Sequence, residues 1–76
     1  PLVTIEEMMD TLLSRVQRAM TLSFKEFSAG SAEKVEVIVS FLALLELVKQ
    51  GAVEAAQHDA FTDIRITNTS AGVPRY

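Results

Sequence analysis

The densest apolar pattern lies between Ser31 and Gly51, and it predicts one long helix. Ser31 is the expected N-cap, because its hydroxyl can accept a free N–H of the first turn. Glu33 and Glu36 stand near the positive end of the helix dipole and Lys49 near its negative end. Gly51 suits the left-handed conformation that stops a helix. At about 100° per residue, Val35, Ile38, Leu42 and Leu45 form one apolar stripe. Val37, Phe41, Leu44 and Val48 form a second beside it. Together they cover roughly 180°, wider than the ~100° face that a surface helix buries. Two explanations stand: a central helix covered on both sides, or a helix with one stripe in the core and the other kept for a partner. On the second reading the first stripe enters the core. The docking surface is then Val37, Phe41, Leu44 and Val48, with Leu45 at the border and Gln57 reaching in from the adjoining strand.

The rest of the chain shows clear periodicities. Ile5, Met8, Met9, Leu12, Leu13, Val16 and Met20 recur at helical spacing and predict a helix over about 5–20. Thr4 and Glu7 make a capping box at its start. Thr21-Leu22-Ser23-Phe24 predicts a short extended segment able to bridge to a sheet. Ser23 then caps a helix of one or two turns, which sends Phe24 and Phe27 to the core. Residues 53–57 predict one strand, and the strict alternation of 61–67, with Ile64 and Ile66 inward, predicts another. The turn between them holds His58 and Asp59. The expected core is Leu12, Leu13, Val16, Phe24, Phe27, Ile38, Leu42, Leu45, Ile64 and Ile66. The order is helix, short strand, short helix, long helix and β-hairpin. That is the order of an α+β winged helix, placed at residues 4–67 with a loose tail at 68–76.

Composition narrows the function. A chain of 76 residues makes one small domain. It is 49% hydrophobic, with a mean hydropathy of +0.24, rich for so small a surface. Ten acidic and seven basic residues give a net charge of -3 and a pI near 4.9, a poor match to the phosphate backbone of a nucleic acid. The absence of cysteine excludes disulfides and thiolate metal sites and fits a cytosolic setting. The apolar run from Val37 to Val48 is interrupted by Ser40 and Glu46 and is too short to cross a bilayer. No membrane partner is expected. Opening on Pro1 without a methionine, the sequence is expected to be a piece of something longer.

Catalytic chemistry finds few candidates. His58 is the single histidine, and it stands in a turn, where a solvated role is the default. The three glycines are scattered and form no phosphate loop. Asp59 and Asp63 flank the wing as a turn residue and a solvated strand position. No enzyme activity, metal or cofactor is expected. A winged helix also invites DNA recognition through the helix after the turn, which needs Arg, Lys, Asn or Gln against base edges. Here that helix offers Lys34, Lys49 and Gln50 against Glu33, Glu36 and Glu46. Protein docking fits the apolar helix better. A winged-helix transcription regulator and a small oligomerisation domain remain as alternatives.

The run Phe41-Leu42-Ala43-Leu44-Leu45-Glu46-Leu47-Val48-Lys49-Gln50-Gly51-Ala52-Val53, followed by Gln57 and Phe61-Thr62-Asp63-Ile64-Arg65, resembles the C-terminal domain of segregation and condensation protein A, the bacterial kleisin. The resemblance spans about residues 4–67. It departs from the family at Ala60 and Thr62, where proline and glycine are usual. The resemblance implies a winged helix that docks on one ATPase head of an SMC protein. It further implies that such a domain helps close the SMC ring for chromosome condensation and segregation, in the cytoplasm and associated with the nucleoid. It also implies that segregation and condensation protein B binds a middle region of the full-length kleisin, outside this chain. The domain itself carries no ATPase chemistry and reads no DNA sequence directly.

Overall fold

A computed structural model describes residues 3–31, 33–57 and 63–69. Helix α1 runs over Ile5–Ala19, strand β1 over Thr21–Ser23, helix α2 over Phe24–Ala29 and helix α3 over Lys34–Lys49. Strands β2, Val53–Ala56, and β3, Arg65–Asn68, complete the fold. The sheet order is β1-β3-β2, with both neighbours antiparallel to β3. Leu22 pairs with Ile66 on one side, and Ala55 pairs with Ile66 on the other. The class is α+β with a winged-helix-like arrangement, as the sequence predicts.

Local chemistry accounts for the element boundaries. The capping box of α1 is closed in both directions. Glu7 N–H donates to the Thr4 hydroxyl at 3.1 Å, and Thr4 N–H donates to the Glu7 carboxylate at 3.0 Å. α1 ends at Met20, whose φ of 69° turns the chain sharply into β1. The Met20 carbonyl then accepts the Asn68 N–H at 3.1 Å, and the Phe24 N–H donates to the Ile64 carbonyl at 2.9 Å. These two bonds extend the β1–β3 pairing past both ends. Ser23 caps α2 by accepting the Glu26 N–H at 3.1 Å. At the other end of α3, Gly51 has a φ of +80°. Its N–H meets the Val48 carbonyl at 3.0 Å, and the Ala52 N–H meets the Leu47 carbonyl at 2.9 Å. That pair of bonds is the Schellman motif, which satisfies carbonyls that the helix end would otherwise orphan.

Two boundaries differ from expectation. Ser31 does not cap α3. Its N–H instead closes the turn after α2 on the Ser28 carbonyl at 3.0 Å, and the N-cap of α3 stands two residues later at Glu33, which makes no side-chain cap bond. The strands are shorter than 53–57 and 61–67. β3 starts at Arg65 because the preceding Asp63 and Ile64 turn to serve α2, and it runs on through Asn68. Thr69 follows with a hydroxyl bond of 2.6 Å to the Gly51 carbonyl. His58, Asp59, Ala60, Phe61 and Thr62 fall outside the described residues, as does 70–76.

The core gathers Met8, Leu12 and Val16 of α1, Leu22 of β1 and Phe27 of α2. To these it adds Ala43, Leu44 and Leu47 of α3, Val53 of β2 and Ile66 of β3. Leu13, Phe24 and Ile64 pack against it half-buried. Ile38, Leu42 and Leu45, expected inside, are exposed. The stripe that α3 buries is Ser40, Ala43, Leu44 and Leu47, which shares Leu44 with the second apolar stripe read from the sequence and otherwise lies beyond its edge. Small side chains at Ser40 and Ala43 let the helix sit close to its neighbours. The Ser40 hydroxyl costs little there, because it donates to the Glu36 carbonyl at 2.8 Å and lies 3.5 Å from the Met8 sulfur.

Candidate docking groove

The C-terminal half of α3 leans over β2, and an open apolar groove of about 270 Å³ lies between them. One wall is Phe41, Leu45 and Val48, each with a substantial exposed surface. Ala55, Ala56 and Gln57 form the other wall, and Ile64 also lines the groove. The alanines leave the sheet side shallow. Leu44 lies at the floor with 1% of its surface exposed, so it holds the groove in place and is not itself a contact surface. That corrects its place in the expected docking stripe. Val37 is half-buried and outside the groove. The fold thus brings Phe41, Leu45, Val48 and Gln57 together over Leu44 and leaves Val37 apart.

The Phe41 ring is oriented by Phe24, edge to face, with centroids 6.1 Å apart and planes at 72°. Such an arrangement fixes an aromatic side chain beyond what area burial alone achieves. Phe24 is in turn the first residue of α2, and α2 is tied to the base of the wing by Asp63. The Asp63 carboxylate accepts the Ser23 hydroxyl, the Lys25 N–H at 2.8 Å and its own neighbour's N–H, Ile64, at 2.7 Å. The Ser23 hydrogen bond, followed by the Lys25 N–H, holds the carboxyl below its ordinary value of 3.8. Sequence reading takes Asp63 for a solvated strand position. The signal that could reveal it is the pairing of an isolated aspartate before a strand with a free helix N-terminus elsewhere, a pairing that only the sheet order discloses. One turn further along α2, Arg15 lies over the Phe27 ring at 5.2 Å, a cation–π contact.

Among the described residues, no cluster of three or more His, Cys, Asp or Glu is placed to hold a metal ion. No helix among them is long and apolar enough to cross a membrane. What the groove can do chemically is exclude water from an apolar partner surface, with a polar amide at its edge.

Comparison with known proteins identifies the family. The model of segregation and condensation protein ScpA matches residues 2–69. Segregation and condensation protein A of Enterococcus faecalis is 39% identical over 70 residues, covering 88% of this chain and 26% of that protein. The protein of the same name from Thermoanaerobacter sp. is 38% identical over 69 residues, covering 91% and 28%. That of Caldanaerobacter subterraneus subsp. tengcongensis is 41% identical over 63 residues, covering 83% and 26%. The chain spans about a quarter of the length of these curated relatives. With nearly its whole length matched, the chain belongs to the segregation and condensation protein A family.

Proposed function

We propose that this chain docks on the ATPase head of an SMC protein through the groove between α3 and β2. In doing so it helps close an SMC ring in chromosome condensation and segregation. The observation that carries the reading is the gathering of Phe41, Leu45, Val48 and Gln57 around one groove. These residues are scattered over seventeen positions of sequence, and the chain belongs to a family whose members carry segregation and condensation in their names. Phe41 is the anchor: a partly exposed aromatic ring, oriented by Phe24 and surrounded by aliphatic neighbours, is the composition of an interface hot spot. Gln57 supplies a polar contact at the rim. The role is mechanical: the chain positions the head, and the head hydrolyses ATP. Recognition of DNA by α3 has little to work with, since its exposed residues are mostly apolar, Val35, Ile38, Phe41, Leu42, Leu45 and Val48, with Lys34 and Lys49 only at its two ends.

Titrating the chain against an SMC head fragment tests this. Phe41→Arg should weaken binding about 30-fold or more, the equivalent of losing one ~2 kcal/mol anchor, while the melt stays cooperative. Leu45→Arg, at a position half exposed, should do the same, and it carries the test alone if Phe41→Arg loosens α2. Unchanged binding by both variants would place the contact elsewhere.

A further inference from the structure

The groove uses one edge of α3 and leaves the outward face of that helix uncovered. Ile38 is 51% exposed, Leu45 49%, Leu42 43% and Val35 41%. Ser40, Ala43, Leu44 and Leu47, the buried set, lie roughly opposite at 100° per residue. The intervals between the four exposed residues are three, four and three. That is the a-d-a-d spacing of two heptads, the narrow seam of a coiled coil, and it differs from the broader stripe by which a surface helix meets its own core. With Val35 at a, the flanking e positions hold Val39 and Glu46. The g positions hold Lys34, Phe41 and Val48, and Lys49 is the next a. The seam rises about 15 Å along a straight helix. Patches of this kind on a small domain mark interaction sites.

We infer that this face is a second docking surface, which takes one amphipathic helix from a different polypeptide, with apolar residues at its own a and d positions and acidic residues on its flanks. The charges decide against a second copy of this chain. In a parallel pair, Lys34 would face Val39, Glu46 would face Phe41, and Lys49 would face its own copy across the seam. In an antiparallel pair layered as Val35 with Leu45 and Ile38 with Leu42, Lys34 would face Val48, and Glu46 would face the turn before α3. Neither alignment offers a counter-charge to Lys34 or Lys49. A helix carrying Glu or Asp at those points satisfies both. Because the groove lies on the g side of the seam, the two surfaces share Leu45 and adjoin along Phe41 and Val48, and they diverge at Val35, Ile38 and Leu42 on one side and at Ala55, Ala56 and Gln57 on the other.

A synthetic three-heptad peptide with Leu at a and d, Glu where it faces Lys34 and Lys49 and Ala where it faces Glu46 is the probe, and its twin carries Lys in place of each Glu. In amide NMR titrations of the labelled chain, the acidic peptide should shift Val35, Ile38, Leu42 and their neighbours. The Lys twin should bind about ten-fold or more weakly, as should the acidic peptide to Ile38→Asp. Ala56→Leu, which fills the groove from its sheet wall and lies off the seam, should leave peptide binding within about three-fold of the original, well under one hot-spot loss. Equal binding of the two peptides would overturn the inference, as would shifts confined to the groove. So would a dimer of the chain alone in sedimentation that Ile38→Asp dissolves.

Discussion

Asp63 is one carboxylate that joins two elements. It receives the Ser23 hydroxyl and the Lys25 N–H, so the base of the wing and the first turn of α2 move as one piece, and through Phe24 they set the Phe41 ring. Its pKa is depressed first by the Ser23 hydrogen bond and then by the Lys25 N–H. Since the folded value lies below the unfolded one, the contribution to stability is complete above 3.8 and is lost as pH falls through the lower folded value. Melting temperature measured from neutral pH downward should therefore drop below about pH 3.8. Asp63→Asn should melt lower at neutral pH and show a smaller drop on acidification. An acid profile unchanged by Asp63→Asn would show that other carboxylates govern it.

At the scale of the element, α3 is where sequence and structure part. Helix existence, its end at Gly51 and the surplus of apolar surface were all legible, because spacing and a glycine with positive φ report on backbone geometry. Which stripe enters the core was not. Ser40 reads as a polar interruption and Ala43 enters neither apolar stripe, yet together they lie in the buried line that lets α3 approach α1. Periodicity counts apolar residues, and close packing here is set by small ones. The consequence can be measured. Leu44→Ala should cost about 2–5 kcal/mol in denaturant unfolding, the usual range for a buried leucine. Leu42→Ala, two residues away and exposed, should stay within about 0.5 kcal/mol. Equal losses would mean that both faces are covered in solution. The groove was legible in part for the same reason. Phe41 and Val48 were read as surplus apolar surface, Leu45 as its border as well as a core residue and Gln57 as a polar neighbour from the strand, whereas Leu44 belongs to the floor and Val37 to neither.

For the whole molecule, charge and topology set the limits. A net charge of -3 and an apolar outward helix give little to hold phosphates. Binding of the chain to duplex DNA should be weak in low salt and vanish near physiological salt in a fluorescence anisotropy titration. Submicromolar binding that survives such salt would overturn the protein-docking reading. The sheet order carries a separate consequence, in time. Among the described residues the last strand, β3, lies in the middle, and β1 and β2 each pair with it and not with one another. The Ser23–Asp63 contact likewise joins residues forty apart. During synthesis, then, α1, α2 and α3 all leave the ribosome before any part of the sheet can form, and non-local pairing of this kind is slow to close. A chain stopped at Ile64 would keep the sequence of every helix and lose both ladders at once. The four residues Arg65 to Asn68 act as the keystone of the arch: nearly the last to be set, and the piece on which both sides lean.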